Sequence, residues 1–226
     1  MDSVSGVGVI DKAVVILQVL RSGPHDLADL QRDADLPRAT AHRLVVALER
    51  QHLVRRDRLG RFVLGFELVA LGRAASEQFA LGELATPVLR ALRDDCGESV
   101  QLYVREDEGR RCVVSLQSPH ALRWIVPEGS LLPLGLGSAG KVLASASASV
   151  GAGADAGAGW VQSVEEREPG VASVSAAVVD RRRTVIAAVS VSGPVERLSR
   201  NPGAEFGSRV VAAGREISAL VTDALG

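Results

Sequence analysis

Seven arginines crowd into residues 36–65: Arg38, Arg43, Arg50, Arg55, Arg56, Arg58 and Arg61, opposed only by Glu49 and Asp57. The guanidinium is always charged, and its planar fork matches a phosphate or a guanine edge with two parallel hydrogen bonds. The local balance is +5, whereas residues 1–35 hold three basic against six acidic side chains and the whole chain sums to −1. A basic patch confined to one stretch of a near-neutral chain fits a protein that binds a polyanion with one surface only.

The elements that must position these arginines follow from hydrophobic spacing. At about 100° per residue, a helix over Leu36–Leu53 puts Pro37, Ala41, Leu44, Val45 and Leu48 on one side. Ala39, Arg43, Val46, Ala47 and Arg50 fall opposite. Taken alone, that stretch is most simply a core helix with a solvated basic face. Its flanks favour a recognition surface, because small residues between arginines let a backbone approach a partner closely. Val9–Leu20 is a helix with Ile10, Val14, Leu17 and Leu20 at helical spacing, stopped by Gly23 and Pro24. Asp26 caps a second helix striped by Leu27, Leu30 and Ala34, with Asp29 completing a weak capping box. Pro37 suits the first position of the third helix, where its missing N–H costs nothing. Leu53–Arg56 and Arg61–Leu64 are short strands joined by an Asp57–Gly60 turn, with glycine where positive φ is needed. Three helices and a basic hairpin make a winged helix-turn-helix, and Arg58 and Arg61 at the hairpin reach for phosphates or a minor groove. A helical module whose hairpin binds protein is the alternative, and the concentration of arginine disfavours it.

Phe66–Phe79 is amphipathic and bracketed by Gly65 and Gly82, a helix joining two domains. Beyond it, Leu84–Cys96 is a helix ended by Gly97. Ser99–Arg105, Arg111–Gln117 and Leu122–Val126 are strands, and Pro127–Gly129 turns into Ser130–Leu134. Gly135–Ser138 is a loop entering a helix from Ala139 to about Ala146. Val171–Val179 and Thr184–Ser192 are two more strands, joined by Asp180–Arg183. A last helix over Ala204–Leu225 buries Phe206, Val210, Ala213, Ile217, Leu220 and Ala224. The expected fold class is α+β: a winged helix-turn-helix over 1–65, a linker helix over 66–82, and a GAF-like antiparallel-sheet effector domain over 83–226.

Other chemistries find little support. His25, His42, His52 and His120 show no metal spacing, and no nucleophile elbow or phosphate-binding loop occurs, so an enzyme is not expected. Cys96 and Cys112 read as small buried side chains rather than a disulfide or metal site. Glu165, Glu166 and Glu168 sit in a polar run beside Gly170 that reads as solvated. No apolar run spans a membrane and the N-terminus lacks a signal-peptide pattern, so a cytoplasmic location with no membrane partner is expected. No cofactor is implied.

The blocks IDKAVVILQVL, LPRATAHRLVVALERQHLV, RFVLG, PLGLGSAGKVLA and EPGVASVSAAVVD…VIAAVSVSGPVERL resemble, in order and spacing, the IclR family of bacterial transcriptional regulators. The resemblance covers nearly the whole chain and looks nearest the actinobacterial branch linked to leucine and other amino-acid biosynthesis. It implies double-stranded DNA and a small-molecule effector, a small carboxylate or an amino acid, as partners. It also implies assembly as homodimers or homotetramers; the two-fold symmetry of a dimer joined through the linker helix would let its basic helices read neighbouring half-sites of a partly palindromic operator. Arg38, Ala39, Thr40, His42 and Arg43 match the part of the family's recognition helix that enters the major groove. Arg38 and Thr40 would hold phosphates, Arg43 would read bases, and His42 lies on the flank. By position the family's effector pocket falls on Ser138, Ala139, Glu168, Ser173, Ser190 and Ser192, where free N–H groups of a helix N-terminus at Ser138 would suit a small carboxylate. Small residues in closely packed strands are the plain alternative for the serines. The chain departs from the family at Ser173 and Ala177, where many members carry cysteine, which leaves a thiol or metal role there without support. A second departure is Ser145–Gly159, an Ala/Gly/Ser tract expected to be a flexible loop. A DNA-binding regulator whose second domain only oligomerises is the alternative function.

Overall fold

The helix-turn-helix forms from local punctuation. In the computed structural model, which describes residues 7–77, 80–145 and 159–224, α1 runs Gly8–Leu20 and α2 runs Leu27–Asp33. Asp26 caps α2 as expected, its carboxylate accepting the Asp29 N–H at 2.8 Å. The Asp29 carboxylate takes a hydrogen bond from Arg32 instead of completing a capping box. Helix α2 ends in a paired motif: the Leu36 N–H reaches Gln31 O and the Asp35 N–H reaches Arg32 O. Asp35 adopts φ +50°, the left-handed residue this geometry requires. The chain thereby turns within two residues and delivers buried Leu36 into the core.

Helix α3, Arg38–Arg50, starts later than expected. Pro37 is its cap rather than its first residue, with ψ 139° and an exposed ring, and its carbonyl accepts the Thr40 and Ala41 N–H groups. The same two-bond motif closes α3, with His52 at φ +58°. Strands β1 (Val54–Arg56) and β2 (Phe62–Leu64) pair antiparallel, Arg55 opposite Val63. His25 joins them, exchanging two backbone hydrogen bonds with Phe62, a third rung absent from the sequence reading. Gly65 is obligatory, since a Cβ there would fall 1.9 Å from His52 O. Ile16, Leu30, Ala41, Val45 and Phe62 form this unit's core. Helix α4 follows over Glu67–Glu77 with no buried residue among its described side chains.

The chain divides into two units, residues 1–78 and 79–226. The second contains α5 (Ala80–Cys96), β3 (Ser99–Glu106), β4 (Gly109–Leu116), β5 (Leu131–Pro133), α6 (Ser138–Ala144) and β6 (Trp160–Val164). It continues with β7 (Val171–Val179), β8 (Val185–Pro194), α7 (Val195–Leu198) and α8 (Pro202–Ala224). The six strands form one antiparallel sheet in the order β5-β4-β3-β8-β7-β6. Alternation assigns its faces. Val100, Leu102, Val174, Val189 and Val191 pack under α5 and α8, while Tyr103, Cys112, Val161 and Ala188 pack under α6. The α+β architecture, a helix-turn-helix unit followed by an antiparallel-sheet unit, is as the sequence predicted.

Several details are corrected. Leu122–Val126 is not a strand, because Leu131–Pro133 takes the free edge of β4. Strand β6 and helix α7 were not foreseen. Gly82 lies inside α5, not at a boundary. On α8, Val221 is buried where Ala224 was expected, and Gly203 and Gly207 lie against the Trp160 ring, too close for any side chain. Most of the Ala/Gly/Ser tract (146–158) lies outside the described residues, as do residues 1–6, Phe79 and Leu225.

Candidate nucleic-acid interface and ligand recess

Helix α3 turns Ala41, Val45 and Leu48 inward, which leaves Arg38, Ala39, His42, Arg43, Ala47 and Arg50 exposed and Thr40 half-buried. Among the described residues no side chain caps its N-terminus, so the Arg38 and Ala39 N–H groups stay open beside the Arg38 guanidinium. A helix N-terminus with free N–H groups attracts phosphate. Arg43 lies along the helix, its Nε donating to Ala39 O at 3.3 Å.

The hairpin arginines divide into committed and uncommitted cations. Arg56 pairs with Glu49 at 3.1 Å and stacks on Phe62, and Arg55 covers Phe66. Arg61 pairs with Asp57 at 2.7 Å. Asp57 also accepts the Leu59 and Arg61 N–H groups, an arrangement that builds the turn. Partial burial works to raise the Asp57 carboxyl, but the hydrogen bonds from Arg61 and Leu59 outweigh it and hold the group below its usual range. Among the described residues, Arg38, Arg50 and Arg58 meet no carboxylate at ion-pair distance, and Arg58 stands exposed at the hairpin tip.

In the second unit, Ser138, Ala139, Glu168, Ser173, Ser190 and Ser192 all line one open recess. The Ser138 hydroxyl lies 2.7 Å from both Ser173 Oγ and Ser175 Oγ, fastening the start of α6 to β7. The expected free N-terminus of α6 is not free. Glu166 accepts the Gly137 N–H at 3.3 Å and meets Lys141 Nζ, so the chain supplies its own carboxylate there.

Sequence reasoning missed Tyr103, Arg110, Trp124, Ser163, Glu166 and Arg167, which complete the lining together with Gly137 and Val171. Arg110 donates through Nη1 to Pro133 O and Leu136 O and lies 5.4 Å from the Tyr103 ring centre. Arg167 stacks on Trp124 at 5.0 Å. Burial pushes the Tyr103 phenol far up, so it stays protonated, and pushes the Cys112 thiol to about 12. Arg110 sits in Gly109–Leu116, where alternation marks a strand but no local signal marks a buried cation. Cys112 is buried and inert, and no His/Cys/Asp/Glu cluster suited to a metal occurs among the described residues. Nor is any described helix long and apolar enough to cross a membrane.

Comparison with known proteins agrees with both halves. Residues 9–58 match the IclR helix-turn-helix domain, and residues 74–151 and 156–219 match the C-terminal domain of the bacterial transcriptional regulator IclR. The glycerol operon regulatory protein of Streptomyces griseus is 30% identical, over 96% of each chain. The transcriptional repressor IclR of Escherichia coli is 28% identical, over 87% of this chain and 83% of its own. Two solved structures share the fold. Thermotoga maritima IclR has a TM-score of 0.74 at 18% identity, over 94% of this chain and 98% of its own. A Microbacterium hydrocarbonoxydans IclR homologue complexed with 4-hydroxybenzoate has 0.76 at 21%, over 94% and 98%.

Proposed function

Since the chain belongs to the IclR family and is a DNA-binding transcriptional regulator, we propose that it is ligand-responsive and binds a partly palindromic operator as a homodimer. The observation that carries the ligand half is the recess, which gathers six residues from α6, β7, β8 and the β6–β7 loop around hydroxyls and a buried cation. The Microbacterium homologue, solved with a small aromatic acid, supports looking for a small carboxylate. On the DNA side, Arg43 reads bases, Arg38 and Thr40 hold the backbone at the open end of α3, Ala39 permits close approach and His42 flanks the groove. Arg58 reaches a phosphate from the hairpin, and Arg61 follows only by releasing Asp57. Linker helix α4 supports the dimer: Val69 and Leu71 are exposed along it, Phe66 just before it, and Val9, Ile10 and Val14 along α1.

Fluorescence anisotropy on upstream DNA tests the reading. We expect salt-sensitive binding to promoter DNA, altered by a small acid, with tight binding needing both half-sites. Promoters of amino-acid biosynthesis are the first set to try and those of glycerol and acetate operons the second, since relatives are named for these. Absence of salt-dependent binding to any of them overturns the operator reading. One observation favours an alternative in which the second unit only oligomerises: Glu166 already fills the start of α6. In that case no acid changes DNA affinity or melting temperature.

A further inference from the structure

The floor of the recess is unusual for a sheet face covered by a helix. Residues directly opposite on neighbouring strands point to the same face. Ser163, Ser173, Ser192 and Ser99 stand opposite one another across β6, β7, β8 and β3, and Ser175, Ser190 and Gln101 form a second row across β7, β8 and β3. A buried hydroxyl or amide left without a hydrogen bond is costly, so such a floor must be satisfied from somewhere. Ser138 satisfies Ser173 and Ser175, and Ser192 donates to Gln101 Oε1 at 2.7 Å. The rest is open. Among the described residues, the hydroxyls of Ser163, Ser190 and Tyr103 make no hydrogen bond; the residues are 6%, 3% and 4% exposed, and their oxygens are not sealed but open on the recess. Gln101 Nε2 is buried and likewise unpartnered.

Arg110 is the second anomaly. It is 3% exposed, lines the recess and has no carboxylate at ion-pair distance among the described residues. Nη1 is committed to two carbonyls, whereas Nε is buried with no partner and Nη2 makes no hydrogen bond among the described residues. Nε is sealed from the recess, so Nη2 is the guanidinium donor left to meet a ligand carboxylate by a charge-assisted bond. Gly137 and Gly140 are small where Arg110 passes; a Cβ at Gly140 would fall 2.4 Å from Nη1. At the mouth, Glu166 is neutralised by Lys141, but Glu168 has no cation within ion-pair distance among the described residues. Arg167 lines the same mouth, also without an ion pair among the described residues, so the mouth carries both signs and suits a neutral ligand hydroxyl.

We propose that the recess binds a small monocarboxylate bearing several hydroxyl groups, its carboxylate on Arg110 and its hydroxyls on Ser163, Ser190 and Tyr103. This rests on the ligand-responsive reading above and narrows it. Hydroxyls match the floor because each both donates and accepts. An alkyl or aryl acid would leave the serines unpaired, and an ammonium would find no carboxylate on the floor.

The test is thermal shift and calorimetry on the full-length protein with matched probes. Glycerate and gluconate are expected to raise the melting temperature. Propionate and hexanoate, lacking the hydroxyls, and glycerol, lacking the carboxylate, are expected to bind at least tenfold more weakly. Ser190→Ala and Ser163→Ala should each weaken the better hydroxy acid tenfold or more with the weak binding of its deoxygenated partner unchanged. Arg110→Met should abolish acid binding while leaving glycerol as it was. Should one serine variant misfold, the other carries the comparison. Equal affinity for hydroxylated and deoxygenated acids overturns the role of the floor, and equal affinity for glycerol and glycerate overturns that of Arg110. Preference for alanine or benzoate overturns the proposed class while leaving ligand response intact. No shift with any probe overturns both readings, and DNA anisotropy then still reports the operator reading separately.

Discussion

The Ser138 hydroxyl at the start of α6 sits 2.7 Å from the Ser173 hydroxyl of β7, thirty-five residues along the chain, and equally close to Ser175. One side chain thus bonds a short helix to the sheet and sets the edge of the recess. Ser138→Ala leaves the buried Ser175 hydroxyl and the half-buried Ser173 hydroxyl short of a partner and should cost about 1–3 kcal/mol. Urea denaturation checks this. A double-mutant cycle with Ser173→Ala should show coupling, and strict additivity would mean the contact contributes nothing.

Asp35 holds the left-handed position that turns α2 into α3. Glycine occupies that conformation without strain. Asp35→Gly should therefore raise the stability of the unit by about 0.5–1 kcal/mol, the usual difference at such a cap. Chemical denaturation reads it, and a loss of stability would show that the Asp35 side chain contributes more than its backbone costs.

The hairpin arginines should behave differently on DNA. Arg58 is uncommitted, so Arg58→Ala should weaken binding on all sequences alike and lower the salt slope by about 1. Arg61 is paired with Asp57, and Arg61→Ala should change the slope by much less. Equal losses would mean that Asp57 releases Arg61 on binding.

Arg43→Ala should cost about 1–3 kcal/mol on the cognate operator and relax preference at one base position. Binding-site selection with both proteins reports it. An identical loss on random DNA would make Arg43 a backbone contact.

The Asp57 carboxyl is held below its ordinary value of 3.8. A depressed carboxyl contributes stability that is present above its unfolded value and lost as pH falls through the folded one. The acid limb below pH 3.8 should therefore be shallower in Asp57→Asn, followed by far-UV circular dichroism between pH 2 and 5. An unchanged limb would mean that the turn opens before Asp57 protonates.

Much of the fold was legible because its determinants are local. Capping by Asp26, the stop at Gly23 and the period-3.6 stripes of α1, α2 and α3 are written within a few residues of where they act. So is the period-2 alternation that marked β7 to the residue. The errors came where a partner decides. Leu122–Val126 has strand composition, but a strand exists only where an edge is free, and Leu131–Pro133 occupies the edge of β4.

Sequence pattern and family resemblance singled out the basic face of α3 and the six positions that came to line one recess. Chain order alone could not show that Arg61 is tied to Asp57, that Glu166 fills the start of α6, or that Arg110 is buried without an anion. Nor could it show that serines from four strands, with Gln101 beside Ser99 on β3, form one polar floor. Alternation says which residues share a face of a strand; only hydrogen-bonded register across β6, β7, β8 and β3 says which of them meet, because partners such as Ser99 and Ser192 lie ninety-three residues apart.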